Sequence, residues 1–178
     1  MNSRLKNTLP FGLTILATIL DQMTKYFIVA SIPENTQRWS FLGGFFRIIH
    51  QKNLGAAFSM GSTLTDIPRL LFFIVLPLGV LAAVVVFYFT AKDLRYSQKW
   101  LLAGILGGGL GNMIDRIFRP GGVVDFLSVK FYGLFGLDYF PTFNVADSFV
   151  TVCGILFVLI YIINDRQNKD AERKTDGQ

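Results

Sequence analysis

Four long apolar runs, separated by polar or mixed segments, set the pattern of this chain. The clearest extends from Leu70 to Thr90 without a charged residue. As an α-helix those 21 residues reach about 31 Å, enough to cross the hydrocarbon core of a bilayer. Pro77 and Gly79 predict a kink there, which membrane helices tolerate. Phe143 to Ile163 is polar only at its start, and Trp100 to Phe118 only at its end. Leu9 to Ile32 is interrupted by Asp21-Gln22-Met23-Thr24-Lys25. The pattern predicts an all-α membrane protein with four transmembrane helices, over about residues 9–32, 70–90, 100–118 and 143–163. Together they form one polytopic domain, residues 1–165. A polar tail, 166–178, is expected to fray or be disordered.

Two connections break this helical pattern. Phe45-Phe-Arg-Ile-Ile-His-Gln-Lys and Val123-Val-Asp-Phe-Leu-Ser-Val-Lys-Phe-Tyr are rich in β-branched and aromatic residues, punctuated by Gly43-Gly44 and Gly121-Gly122. They predict short strands forming a small extracytoplasmic β-sheet, or cradle, on the membrane surface.

Composition agrees: 52% of the 178 residues are hydrophobic and 16% charged. A soluble domain carries about a quarter charged residues. The net charge of +5 lies in short segments between apolar runs. A nucleic-acid partner is therefore excluded, since that would need a basic soluble face. Arg4 and Lys6 precede the first span, Lys92, Arg95 and Lys99 crowd the link between the second and third, and Arg166, Lys169, Arg173 and Lys174 follow the fourth. The positive-inside rule then makes both termini and the middle link cytoplasmic. No small-residue cleavage site follows Phe11 to Leu20, so the first span reads as a mature helix rather than a signal peptide. Cys153, the only cysteine, lies in an apolar run and reads as a packing residue.

Direction now assigns depth to the polar residues. Asp21 and Lys25 fall in the outer half of the first helix. Asn112, Asp115 and Arg116 end the third, Asn144, Asp147 and Ser148 begin the fourth, and Asp125 follows the third in the outer connection. Ionisable groups at membrane depth are costly and usually face a bundle interior or wet cavity. Asp21 and Lys25, four apart, can form an ion pair with a structural, neutralising role. Asp115 has packing and hydrogen-bonding as a competing role. The Gly104-x-x-x-Gly108 and Gly107-x-x-x-Gly111 spacings suit close helix packing. His50, the only histidine, sits in a predicted strand without a nucleophile motif, and a zinc site lacks ligands. What remains is a pair of aspartates sharing a water, one ionised and one protonated because close like charges split their titration. Asp125 and Asp147 could face each other this way, but residue pattern alone does not choose them from the four carboxylates.

The same residues fall in blocks: Asp21-Gln-Met-Thr-Lys25, Asn53-Leu-Gly-Ala-Ala-Phe-Ser59, Gly108-Gly-Leu-Gly-Asn-Met-Ile-Asp-Arg116, Val123-Val-Asp-Phe126 and Phe143-Asn-Val-Ala-Asp-Ser148. In this order they resemble the blocks of bacterial lipoprotein signal peptidases (signal peptidase II), over roughly residues 10 to 165. The resemblance implies an aspartic endopeptidase of the bacterial cytoplasmic (inner) membrane. It would cut prolipoproteins on the amino side of the diacylglyceryl-modified cysteine, near the outer leaflet. It implies Asp125 and Asp147 as the catalytic pair. Asn53, Gly55, Asn112, Arg116, Asn144 and Ala146 would shape or hold the substrate, and Asp21, Lys25 and Asp115 would be structural. No metal or cofactor is implied. The expected partners are the lipid-modified prolipoprotein, membrane lipid and cyclic peptide inhibitors of the globomycin type.

Two other classes share some of these features. A proton-coupled transporter also uses intramembrane carboxylates, but its broken helices usually lie at the midplane, whereas here the inner half of each span is apolar. A non-catalytic subunit explains the glycines but not the buried carboxylates. Topology is directly testable. In a Cys153→Ala background, cysteines placed at Phe45 and Phe131 should be labelled from the outer side and one at Arg95 should not. Strong outside labelling at position 95 would overturn the orientation.

Overall fold

The computed structural model describes residues 3–53 and 66–176. A short helix, α1 (Ser3–Thr8), leads through Pro10 into α2 (Phe11–Ser31). Strands β1 (Gln37–Phe41) and β2 (Phe46–Asn53) follow. Next come α3 (Asp66–Leu70), a π-helical turn (Leu71–Val75) and α4 (Leu76–Thr90). The chain ends with α5 (Tyr96–Phe118), β3 (Val123–Val129) and α6 (Val145–Asp176). Among the described residues, four helical stretches, Leu5–Ser31, Leu71–Thr90, Tyr96–Phe118 and Val145–Asn164, are long and apolar enough to cross a membrane. Large apolar side chains such as Ile15, Phe72, Val86, Phe89, Ile155 and Ile162 are exposed along them. Soluble monomers rarely expose apolar patches of that extent, and lipid supplies their missing partner.

Where a kink is expected, a π-helical turn, Leu71–Val75, lies just before Pro77. Proline has no N–H and its ring crowds the carbonyl four residues back, so a wider turn relieves the conflict. The expectation that the tail frays is not met, since α6 continues to Asp176. Residues 165–176 hold no Gly or Pro and are mostly Lys, Arg, Glu, Gln, Asp and Ala, several of which favour helix.

α5 is the central helix, packed between α2 and α6. Thr14 Oγ1 donates to the Ala103 carbonyl (2.8 Å), Thr18 Oγ1 to Gly107 (3.1 Å) and Gln22 Nε2 to Gly111 (2.9 Å). Both partners advance four residues per step, so α2 and α5 run parallel, as alternate spans must. On its other side α5 meets an antiparallel α6, Gly104 lying on Cys153 and Gly108 on Ala146 and Val150. The glycines thus pack as expected, and Cys153 is a buried contact of α5.

The sheet is antiparallel, in the order β1-β2-β3. β2 and β3 match the predicted strands, while β1 was not anticipated. An irregularity in β2 between Ile48 and Gln51 shifts its register, so that Gln51 lies opposite Asp125 and Asn53 opposite Val123. Val124 and Phe126 pack with Ile28 and Ile32 at the end of α2. His50, within the irregularity, contacts the Ile32 carbonyl through Nδ1 at 2.7 Å. The sheet is therefore docked on α2 by apolar contact and by polar ties from His50 and from Arg38, which donates to the Ser31 carbonyl.

Close approach gives a test. A Cβ at Gly107 would lie 2.7 Å from the Ala17 Cβ and 2.8 Å from the Thr14 carbonyl, whereas one at Gly12 would meet nothing within 4 Å. Gly107→Val should cost about 1–3 kcal/mol, seen as a lower midpoint of thermal unfolding in detergent. Gly12→Ala should leave the midpoint unchanged or raise it.

Candidate active site

The start of α6 organises the site. Asn144 precedes the helix and Asp147 lies in its first turn. The Asp147 N–H donates to Asn144 Oδ1 (2.9 Å), and the Asn144 N–H donates to Asp147 Oδ2 (3.1 Å). This reciprocal pairing is a capping box. It fixes both side chains, leaving the Asn144 amide nitrogen to point elsewhere. That nitrogen donates to Asp125 Oδ1 (2.7 Å), Asn112 Oδ1 (3.0 Å) and the Val124 carbonyl (3.3 Å).

Asp125 reaches this point from β3. Phe143, just before the cap, accepts from the N–H groups of Phe126 (3.0 Å) and Leu127 (2.8 Å), and its own N–H donates to Leu127 (3.0 Å). The backbone thereby holds Asp125 and the cap of α6 side by side. Asn53, at the end of β2, donates to Asp125 Oδ2 (3.1 Å). Asp125 is only 2% exposed. Burial, together with the charge of Asp147, pushes its carboxyl up to about 7, against the amide hydrogen bonds of Asn53 and Asn144.

Behind this pair lies a buried ionic cluster. Lys25 Nζ sits 2.8 Å from Asp21 Oδ2, 2.8 Å from Asp115 Oδ2 and 2.9 Å from Asn112 Oδ1. Asp21 and Asp115 have further donors. Asp21 accepts the Ala146 N–H (2.9 Å). Asp115 accepts from Arg119 Nε (2.7 Å), Gln22 Nε2 (3.2 Å) and the Val124 N–H (3.2 Å). Asn112 passes the connection forward, donating to Asp147 Oδ1 at 2.7 Å.

Asp147 opens on an apolar cavity of about 370 Å³ between α4, α5 and α6, walled by residues such as Leu76, Val80, Ile105 and Val150. Asn112, Arg116 and Asp147 form its polar part. The Arg116 Nε is buried and lacks a hydrogen-bond partner among the described residues. Its guanidinium lies within electrostatic reach of Asp147, Asp125 and Asp115. The site thus offers two adjoining carboxylates, a guanidinium with spare donor capacity and an apolar trough.

A family model for signal peptidase (SPase) II matches residues 13–163. This chain belongs to the signal peptidase II family. The lipoprotein signal peptidase of Treponema pallidum (strain Nichols) is 41% identical over 152 residues, 85% of this chain and 82% of the relative. That of Borrelia duttonii (strain Ly) is 46% identical over 156 residues, 86% and 91% of the two chains. Among solved structures, one described as a bacterial membrane enzyme determined by the in meso method at 1.9 Å resolution is similar, with a TM-score of 0.72. The two are 29% identical, and the match covers 88% of this chain and 94% of that one. The signal peptidase II chain described here is accordingly a multi-pass bacterial membrane protease.

Of the residues singled out from sequence, Asp21, Lys25, Asn53, Asn112, Asp115, Asp125, Asn144 and Asp147 meet in one hydrogen-bonded chain. The structure separates Asp115 from its neighbour Arg116. Asp115 turns into the ionic cluster, while Arg116 lines the cavity. Ala146 is fully buried, its N–H on Asp21. Gly55 lies outside the described residues, as does all of its block after Asn53. Sequence reasoning missed Gln22 and Arg119, which complete the shell of Asp115, with Arg119 Nη2 also 3.4 Å from Gln22 Oε1. The i,i+4 spacing of Asp115 and Arg119 was the available signal. The Asn-x-x-Asp spacing before an apolar run was the signal for the capping box.

Proposed function

We propose that this signal peptidase II cleaves prolipoproteins on the amino side of the diacylglyceryl-modified cysteine, with Asp125 and Asp147 sharing the catalytic water. The observation that carries this reading is the Asn144 bridge. One residue caps Asp147, which lines the apolar cavity, and also hydrogen-bonds the buried Asp125, tying the two carboxylates together. Asp147 is the ionised base. Both its oxygens accept N–H groups, and it lies in the first turn of a long helix, where the helix dipole favours negative charge. Asp125, on a strand and nearly fully buried, holds the shared proton.

The reaction follows from that division. Asp147 takes a proton from water, and the hydroxide oxygen bonds to the scissile carbonyl carbon. Asp125 gives its proton to the carbonyl oxygen, forming a tetrahedral diol. As the C–N bond breaks, Asp147 returns its proton to the leaving cysteine nitrogen. Asp125 recovers a proton from one diol hydroxyl, which becomes the new carboxyl of the signal peptide. Both aspartates end as they began, and no cofactor takes part.

Arg116, Asn53, Asn112 and Asn144 surround the reacting atoms, and buried Ala146 keeps the start of α6 close to α5. The apolar trough takes the signal segment, and membrane lipid bathes the outer faces of the helices. The site lies toward the outer leaflet of the inner membrane, with both termini cytoplasmic. Globomycin-type cyclic peptides would compete for the trough.

Asp125→Asn and Asp147→Asn should each lower cleavage of a lipopeptide by at least about 10²–10⁴-fold while leaving the protein folded and able to bind it. The double variant should be little worse than either single one, since the two groups act as a unit. The pH–rate curve should be bell-shaped. Because Asp125 must hold its proton, turnover should decline as pH rises above about 7. Wild-type turnover in either single variant would remove that residue from the pair.

A further inference from the structure

The hydrogen bonds around Asn112 give Lys25 a second task besides neutralising Asp21 and Asp115. An asparagine side chain has one acceptor oxygen and one donor nitrogen, and its orientation follows from its neighbours. Lys25 is fully buried and can only donate, so Asn112 must turn its oxygen toward Nζ, 2.9 Å away. The Asn144 amide nitrogen reaches the same oxygen at 3.0 Å. The Asn112 nitrogen is thereby committed to Asp147 Oδ1 at 2.7 Å. Flipped over, Asn112 would point its nitrogen at a cation and its oxygen at a carboxylate, two repulsive contacts in place of two attractive ones.

We propose that Lys25 is a positioning residue for the reaction: through Asn112 it directs a hydrogen-bond donor onto Asp147 and so keeps that carboxylate ionised and aimed at the water. This rests on the catalytic-pair reading. The other charged groups around the relay are accounted for. On α2 there is Asp21, on α5 there are Asp115 and Arg116, and Arg119 follows directly after α5. β3 contributes Asp125, and α6 contributes Asp147 itself. The part of α4 that lines the cavity there, Leu76, Pro77, Val80 and Leu81, is apolar. Asp115 keeps Arg119 as a counter-ion at 2.7 Å, so the charge of Lys25 can be removed together with that of Asp21 without leaving a lone buried ion.

The test uses full-length enzyme carrying Asp21→Asn and Lys25→Met, which preserves net charge. Asparagine at position 21 retains an acceptor for the Ala146 N–H. Without the Lys25 donor the Asn112 amide is oriented only by Asn144 and Asp147, so its donor is held less firmly on Asp147 and the charged form of that carboxylate loses stabilisation. The acidic limb of the pH–rate curve should then move up by about one pH unit. kcat should fall about 10- to 100-fold, with KM nearly unchanged. Asn112→Ala, which removes the donor to Asp147 outright, should move the limb at least as far. Lys25→Gln in place of Met restores a neutral donor and should move the limb back toward its original position. It also serves if the methionine variant does not fold. A folded Met variant with a wild-type limb and kcat would overturn the proposal, as would a folded Gln variant with the same defect as Met. Asp125→Asn and Asp147→Asn are assayed beside them. If those stay active, the catalytic-pair reading fails. If they are dead while the Lys25 variants keep the wild-type limb, only the positioning role fails.

Discussion

Lys25 carries its charge into a place with no exposure to solvent, between Asp21 on its own helix and Asp115 on the next. Removing an ion from water costs several kcal/mol even after the surroundings relax, and only good geometry with every donor used recovers it. Lys25 has three donors and three acceptors within 2.9 Å. The two carboxylates are completed by Ala146, Gln22, Arg119 and the backbone of Val124. These partners come from α2, α5, β3 and α6. The cluster is thus the point where the bundle and the sheet acquire one relative position. Such a joint is unforgiving, because deleting one partner of a buried pair leaves the other unpaired, at about 3–5 kcal/mol.

Everything at the reacting end hangs from that joint. Asp21 holds the N–H of Ala146, next to Asp147, while Asp115 holds the N–H of Val124, next to Asp125. Asp21 and Asp115 therefore each anchor the backbone beside one aspartate of the proposed pair. Asn112 and Asn144 then carry the arrangement forward as amides, which accept and donate without adding charge. Two aspartates can adjoin in a poorly solvated site because their surroundings are rigid and because only one of them needs to be ionised.

Much of this was legible in the residue pattern. The four spans were visible because a helix in lipid must be apolar all round and long enough to cross. The polar cluster was visible because charge at that depth is so costly that its presence demands a reason. What escaped is equally physical. β1 is short, Gln-Arg-Trp-Ser-Phe, and its alternation of polar and apolar residues runs only from Arg38 to Phe41, too brief to stand out. The ladder of Thr14, Thr18 and Gln22 onto α5 carbonyls uses residues that look unremarkable singly and acquire meaning only from the partner helix. The separate directions of Asp115 and Arg116 were hidden because adjacent helical residues look alike in a list of polar positions, yet they point about 100° apart. The polar tail remained helical because its residues favour helix even where nothing apolar continues.

On the proposed reading, this framework makes Asp125 and Asp147 share one proton near neutral pH. Carboxyl ¹³C labelling of aspartate, with each signal assigned through its Asn variant, measures that sharing without a substrate. Titrated from about pH 4 to 9, the pair should pass through a wide interval holding one proton. Its second ionisation should be centred near 7, the value at which Asp125 is held. Two carboxyls both fully ionised by about pH 5, like ordinary exposed aspartates, would contradict the account.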